Sequence, residues 1–206
     1  MNRIKVLIAD DHTIVRIGLK ALFADEADIE VVGEAKNGVE AVKVALETHP
    51  DVVIMDLQMP KKDGVEATRE LAEKLPSAAI AILTTYGTSD GIAHALQSGA
   101  KGAMLKTADD ARLVSSIRKI AAGEKYVSPD IRKLLVENPP VPELSARQRE
   151  ILQSLMTGLT NKEIAQQLGI RRDSVEDHIN TLFAKLGVTN RTEAVAIALR
   201  KHLLKI

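Results

Sequence analysis

The sequence predicts an α/β domain, with a five-stranded doubly wound parallel sheet, followed by a small all-α domain of four helices. Three observations predict this arrangement. Short apolar runs alternate with stretches of helical periodicity through residues 1–125. A proline-rich segment then interrupts the pattern, and only helical periodicity follows it. We therefore expect a first domain at 1–125, a linker at 126–142 and a second domain at 143–206.

The five apolar runs of the first domain predict buried strands. They are rich in Val, Ile and Leu, as strands covered on both faces require. The runs are Ile4–Ala9, Ile29–Gly33, Val52–Met55, Ile80–Leu83 and Ala103–Leu105. Helical stripes separate them, for example at Val15, Leu19, Leu22 and Phe23. Strands that alternate with helices predict a parallel sheet joined by right-handed crossovers.

The second domain carries the signals of short helices. Ser145 with Gln148 and Thr160 with Glu163 have the spacing of capping boxes, and Gly187 marks a helix end. The third helix is predicted from the apolar positions Val175, Ile179, Leu182 and Leu186. Four short helices with a tight turn between the second and third predict a helix-turn-helix module.

The composition excludes several classes of protein. Apolar residues make up 45% of the 206 residues and charged residues 27%, as in ordinary globular proteins. There is no cysteine, which excludes disulfides, cysteine nucleophiles and thiolate metal sites. No secretory signal is visible, and no stretch approaches the roughly 20 apolar residues that span a bilayer. We expect a soluble cytoplasmic protein that makes no membrane contact.

The net charge of zero hides an asymmetry between the two halves. Residues 1–138 contain 18 basic and 21 acidic residues, whereas residues 139–206 contain 10 basic and 7 acidic residues. The net charges are therefore −3 and +3. This division suits a metal-binding first half and a nucleic-acid-binding second half.

Five polar residues stand at the carboxyl ends of four predicted strands, and we call them the rim. Asp10 and Asp11 follow the first strand, Asp56 follows the third, Thr84 ends the fourth and Lys106 follows the fifth. Functional sites of such sheets lie beyond these strand ends. Three carboxylates supply the oxygen ligands that Mg²⁺ prefers. Lys106 and Thr84 could stabilise a phosphoryl group on Asp56 by charge and by a hydrogen bond.

The motifs resemble those of a known family. The receiver domains of response regulators are similar at Asp10-Asp11, Met55–Pro60, Leu83-Thr84 and Leu105-Lys106. LuxR-type helix-turn-helix domains are similar at Leu144–Glu150 and Gly158–Ala165. Nearly the whole chain resembles the NarL/FixJ class of two-component response regulators.

The resemblance implies a flavodoxin-like receiver in which Asp56 accepts a phosphoryl group from a sensor histidine kinase. It implies metal ligands for Mg²⁺ at Asp10, Asp11, Asp56 and the backbone carbonyl of Gln58. It implies phosphate-sensing roles for Thr84 and Lys106. Phosphorylation is then expected to permit homodimerisation and the binding of promoter DNA.

The third helix of the second domain corresponds to the recognition helix of this class. Base contacts are expected from Glu176, Asp177 and Asn180. Phosphate contacts are expected from Lys162, Arg171, Arg172 and Lys185. A Ser cap is typical where Arg171 stands, and a Lys is typical where Glu176 stands. The acidic helix leaves a second hypothesis open, in which the module acts through a protein partner instead of binding DNA directly.

Two other positions bear on function. Hydrolases with an Asp nucleophile usually place a second Asp two residues later, where this chain has Gln58, which cannot transfer protons. We therefore predict a regulator and not an enzyme. Receivers often carry Tyr or Phe three residues before the rim lysine, but here that position is Ala103, and Tyr86 is not the matching residue. The usual aromatic relay is therefore not expected. The histidines His12, His49 and His94 lack metal-ligand spacing and are read as structural or exposed.

Overall fold

The computed structural model describes residues 3–85, 89–142, 144–201 and 203. The chain divides after Pro139 into two compact units. Tyr86, which is not the residue matching the usual aromatic position, lies outside the described residues. Within the part of the chain that the structure describes, no helix has the length and apolar character needed to cross a membrane.

The first unit contains a parallel sheet of six strands in the order β2-β1-β3-β4-β5-β6. The strands are β1 (Ile4–Ala9), β2 (Ile29–Ala35), β3 (Val52–Met55), β4 (Ala79–Thr84), β5 (Gly102–Leu105) and β6 (Tyr126–Val127). The parallel α/β fold is confirmed, but the expected number of five strands was one too few. Strand β6 has only two residues, which is too short to show the alternation that predicts a strand.

Helices cover both faces of this sheet. They are α1 (Thr13–Ala24), α2 (Gly38–Thr48), α3 (Gly64–Lys74), α4 (Ser89–Gln97), α5 (Asp110–Ala121) and α6 (Pro129–Glu137). Successive residues of β1 enter different cores: Leu7 packs in one cluster and Ile8 in the other. This alternation confirms the doubly wound architecture, because each face of a strand needs its own apolar cover.

The segment predicted as a linker is largely structured. Residues 126–137 form β6 and α6, and the side chain of Ser128 caps α6, with Pro129 as the first helical residue. Ile131 of α6 is fully buried, and Leu134 and Leu135 pack against the same core. The spacing of these apolar residues is helical. A helix of nine residues gives only a short periodic pattern, however, and the neighbouring prolines favoured a linker in the prediction. The first unit thus extends well past residue 125.

The second unit is helical. Its helices are α7 (Ala146–Met156), α8 (Asn161–Leu168), α9 (Arg172–Leu186) and α10 (Arg191–Arg200). Both predicted capping boxes are present at α7 and α8, and Gly187 ends α9 in a left-handed conformation with φ of 65°. The four apolar residues predicted for the third helix are all buried. Helix α9 is held in place by this apolar face, so its other face is available for contacts.

Candidate functional site

The rim residues meet at the carboxyl edge of the sheet, as the sequence predicts. The backbone amide of Asp56 donates to the carbonyl of Ala9 at 2.8 Å, so Asp56 lies beside Asp10. The backbone amide of Lys106 donates to the carbonyl of Thr84 at 2.7 Å. The backbone hydrogen bonds between the strand ends therefore fix the backbone position of each functional residue.

Lys106 lies between two buried carboxylates. Its Nζ atom is 2.6 Å from Oδ2 of Asp10 and 2.9 Å from Oδ2 of Asp56. The three side chains are 10%, 3% and 4% exposed, respectively. The other oxygen of Asp56, Oδ1, accepts a hydrogen bond from the backbone amide of Leu57 at 2.8 Å. The carboxyl group of Asp56 is thus held at both oxygens.

The charges of this cluster affect one another. Burial raises the pKa of the Asp56 carboxyl, although the hydrogen bond from Lys106 acts in the opposite direction. Burial alone would lower the pKa of the Lys106 ammonium, but its hydrogen bonds to Asp10 and Asp56 outweigh burial and raise it. Burial thus makes the ionised form of the Asp56 carboxyl less favoured than it would be in water.

The donor set fits a divalent cation. Asp10, Asp11, His12 and Asp56 each offer a ligand atom, and these atoms lie within 4.8 Å of one another. Asp11 is more exposed than the two buried acids. Its Oδ1 atom lies 2.8 Å from Nδ1 of His12, which also lies 3.2 Å from Asp10. His12 is an exposed residue, as expected, but the sequence did not reveal its contact with both carboxylates.

The loop after Asp56 depends on a glycine that the sequence reasoning missed. A Cβ atom on Gly64 would lie 2.0 Å from the carbonyl oxygen of Asp56, which is far too close. The backbone amide of Gly64 donates to the carbonyl of Leu57 at 2.9 Å. Asp63 and Glu66 form a capping box around this glycine, and that spacing could have indicated where α3 begins. Gln58 lies in the same loop with an exposed side chain.

Thr84 and Ala103 are both buried near the rim. Thr84 is 1% exposed and pairs with Leu105, the residue before Lys106. Ala103 is fully buried in β5, and its neighbours on either side are Ile82 of β4 and Val127 of β6. The small side chain at this position is therefore enclosed by the core.

The outward face of α9 carries the predicted base-reading residues. Asp177 and Asn180 are exposed, and Glu176 is partly exposed. Arg171 occupies the N-cap position of α9, and its side chain makes no capping hydrogen bond. Arg171 pairs with Asp173 at 3.1 Å, and Arg172 pairs with Glu176 at 3.0 Å. The two arginines expected to meet phosphates thus lie beside acids of their own helix.

The two lysines predicted to contact DNA phosphates differ in their surroundings. Lys162 is exposed on α8. Nζ of Lys185 donates to Oε1 of Gln148 at 3.0 Å, and that oxygen also accepts from the backbone amide of Ser145. Lys185 therefore connects the end of α9 to the capping box of α7, which ties it to the module itself.

Comparison with known families also divides the chain into two domains, one on each side of Pro139. The model of the response regulator receiver domain matches residues 6–118, and that of the luxR family of bacterial regulatory proteins matches residues 142–198. The chain is a two-component response regulator. Its receiver and its LuxR-type domain account for most of the sequence, and its relatives are DNA-binding transcriptional regulators.

Individual proteins resemble this response regulator over their whole lengths. The transcriptional regulatory protein LiaR of Bacillus subtilis (strain 168) is 40% identical, over 98% of this chain and 99% of LiaR. The crystal structure of the response regulator ChrA of a heme-sensing two-component system has a TM-score of 0.60 and 37% identity, covering 99% of this chain and 100% of ChrA. The RcsB–DNA complex has a TM-score of 0.68 and 25% identity, covering 97% of this chain and 99% of RcsB.

Proposed function

We propose that Asp56 accepts a phosphoryl group from a sensor histidine kinase. In this step an oxygen of Asp56 forms a bond to phosphorus while the bond between phosphorus and the kinase histidine nitrogen breaks. The observation that carries the proposal is the buried Lys106 ammonium within 3 Å of both Asp10 and Asp56. Such a cation can neutralise negative charge that develops on the transferred group.

We propose that Asp10, Asp11, Asp56 and the backbone carbonyl of Gln58 hold Mg²⁺. The family typically binds this ion, and the carboxylate oxygens of the rim suit its preference for hard ligands. When bound, Mg²⁺ would supply positive charge to the phosphoryl oxygens during transfer. Within the described ranges, Lys106 is the cation that contacts both buried acids, and a divalent cation would add positive charge beside them.

Lys106 and Thr84 are the proposed sensing residues. The ammonium of Lys106 would bind a phosphoryl oxygen as a charge-assisted hydrogen bond, and the hydroxyl of Thr84 would donate a second hydrogen bond. Support comes from the backbone hydrogen bond that joins these two residues at 2.7 Å. A shift of one strand end would therefore affect the other.

The proposed output is phosphorylation-dependent DNA binding through α9. Glu176, Asp177 and Asn180 are the proposed base-reading residues, since Glu and Asp can accept from cytosine and Asn can bind adenine. The proposed phosphate contacts are Lys162, Arg171, Arg172 and Lys185. The arginine pairs on α9 are exposed, and exposed ion pairs contribute only about 0–1 kcal/mol to stability. Replacing the acidic partner of each arginine by a DNA phosphate should therefore cost little free energy.

The finer parts of this function are further proposals. Phosphorylation is proposed to favour a homodimer that reads two half-sites about one helical turn apart. The protein is proposed to act in the cytoplasm, where kinase and promoter are both accessible, and to catalyse no metabolic reaction. The domain boundary is proposed near Pro139-Pro140, since the compact first unit ends there.

The acceptor assignment is tested by Asp56→Asn. Purified protein with Mg²⁺ is incubated with acetyl phosphate, and intact-protein mass spectrometry measures the addition of one phosphoryl group. The wild type and the control Asp25→Asn, an exposed acid at the end of α1, should gain the group. Phosphorylation of Asp56→Asn to the wild-type extent would show that another residue is the acceptor.

The output is tested by selection of bound fragments from genomic DNA, with and without beryllofluoride as a phosphoryl mimic, at one stated salt concentration. Enrichment of a defined site that increases with the mimic is the expected result. If protein that has bound the mimic enriches no site in either state, direct DNA recognition by α9 is excluded.

A further inference from the structure

The surroundings of Ala103 show what covers the position where receivers often carry an aromatic ring. Ala103 pairs with Val127 of β6, and its carbonyl accepts a hydrogen bond from the backbone amide of Ser128 at 3.0 Å. Ile131 of α6 is fully buried in the same core cluster as Ala103. Strand β6 and helix α6 therefore complete the core beside β5.

Ser128 joins α6 directly to β5. Its backbone amide binds Ala103, and its side-chain oxygen accepts from the backbone amide of Ile131 at 3.4 Å. One turn further along α6, the partly buried residues Leu134 and Leu135 pack against the cluster that contains Ile131. Helix α6 is thus attached to β5 by its first turn and by one apolar face, with the opposite face exposed.

The rim lies at the other end of the same strand. Lys106 is three positions after Ala103, which corresponds to about 10 Å of extended chain. Helix α4, the next helix after Thr84 along the chain, also contacts α6. Strand β5, which ends one residue before Lys106, and helix α4, the first helix after Thr84, therefore both contact α6.

We propose that α6 is the element of this receiver that responds to phosphorylation, with Ile131 in the role that a rotating aromatic ring has in other receivers. This inference rests on the proposed phosphorylation of Asp56. A shift of Lys106 and Thr84 toward a phosphoryl group changes the end of β5 and the packing of α6 on β5 and α4. Closely packed interfaces of this kind change between discrete arrangements instead of deforming gradually. Because α6 ends just before Pro139-Pro140, its new position is passed to the chain that leads into the DNA-binding unit.

The chain contains no cysteine, so a single introduced thiol can report on α6 in the full-length protein. Val136 of α6 is 81% exposed, and Val136→Cys accepts a nitroxide label without disturbing the buried face. Electron paramagnetic resonance spectra are recorded in Mg²⁺ with and without beryllofluoride. The matched control is Lys43→Cys, at an exposed position on α2, on a helix that does not contain or follow a sensing residue. The expected result is a change in label mobility at position 136 and none at position 43.

Two further variants test whether Ile131 carries the response. Ile131→Ala removes most of the buried contact, so the label should be more mobile before the mimic is added and its response should fall by roughly half or more. Ile131→Val keeps most of the contact and should keep the response. Fluorine NMR measures bound beryllofluoride separately in each variant. Bound mimic without a larger change at position 136 than at position 43 would overturn the inference, as would a full response in Ile131→Ala. Failure of the wild type to bind the mimic would instead reject the proposed phosphorylation, and this inference with it.

Discussion

The rim and helix α9 both place acids beside cations, but the rim pairs are buried and the α9 pairs are exposed to solvent. At the rim, Lys106, Asp10 and Asp56 are at most 10% exposed. On α9, Arg171 and Asp173 are 84% and 77% exposed. Breaking a buried charge cluster leaves an uncompensated charge in the interior, whereas an exposed pair exchanges its partner for water or another ion. The rim pairs therefore hold a defined geometry, whereas the α9 arginines can exchange their acidic partners at a low cost in free energy.

The largest expected effect is the loss of stability in Lys106→Met, at the rim. Without this ammonium, Asp10 and Asp56 remain as buried acids without their shared cation. We expect the free energy of unfolding, measured by urea denaturation in EDTA, to fall by about 3 kcal/mol. Mg²⁺ should restore part of the loss. Lys101→Met, at an exposed position before β5, is the control, and an equal loss in both variants would contradict the proposed role of burial.

The corresponding change on α9 should affect DNA binding and leave stability almost unchanged. Arg172→Ala removes an exposed pair with Glu176, so the free energy of unfolding should change by no more than about 0.5 kcal/mol. Affinity for a selected site should fall about tenfold, and the slope of affinity against salt should fall by about one. Fluorescence anisotropy at several salt concentrations measures both quantities.

Arg147→Ala is the control for that prediction, because Arg147 is partly exposed and forms a pair of similar length with Glu150 on α7, outside the proposed interface. It should leave affinity and salt slope as in the wild type. An unchanged salt slope in Arg172→Ala would show that this arginine stays with Glu176 in the complex.

Much of the rim could be predicted from the sequence, for a physical reason. Parallel strands put their carboxyl ends at one edge, so residues that follow strands must meet there. Asp10, Asp56, Thr84 and Lys106 therefore needed only correct strand assignments. The contact of His12 with the acids and the steric need for Gly64 depend on loop conformation, which the period of a strand does not encode.

The end of the first unit could not be predicted in the same way. Strand β6 has two residues and α6 has nine, and both lie next to a proline-rich segment that predicts a linker. What holds them is tertiary packing: Ile131 is buried in a core formed by residues distant in sequence. On α9, the pairing of Arg171 with Asp173 and of Arg172 with Glu176 was not predicted, because it depends on side-chain conformation.

A smaller effect is expected for Asp56→Asn in the absence of metal. Burial raises the pKa of Asp56 in the folded protein, so its ionised form opposes folding. A group with a raised folded pKa contributes stability below its unfolded pKa and loses that contribution as pH rises through the folded value. In EDTA at neutral pH, Asp56→Asn should therefore be more stable than the wild type, by on the order of 1 kcal/mol.

The pH dependence gives the control for this prediction. The advantage of Asp56→Asn should vanish below the ordinary carboxyl pKa of about 4, where the wild-type group is protonated in both states. Mg²⁺ should stabilise the wild type more than the variant. A variant that is less stable than the wild type at neutral pH in EDTA would mean that the Lys106 hydrogen bond outweighs the cost of burial.

The smallest effect concerns the start of α9. Arg171 has φ of −71° and ψ of 148°, close to the values of the capping residues Ser145 and Thr160, but it makes no capping hydrogen bond with its side chain. Arg171→Ser places a hydroxyl where it can accept from the backbone amide of Ser174, three residues on, as the other two caps do. Loss of the exposed pair with Asp173 offsets part of this gain, so thermal or urea unfolding should show a net stabilisation of about 0.5 kcal/mol.

Arg171→Ala isolates the hydrogen bond, because it loses the same ion pair and gains no cap. The Ser variant should exceed the Ala variant by about 1 kcal/mol. Equal stabilities would show that the acid Asp173, in the first turn of α9, already satisfies the helix terminus through its charge. In that case, having Arg171 at the N-cap position in place of Ser does not lower the stability of the fold. This exposed arginine at the N-terminus of α9 is then available to contact a phosphate.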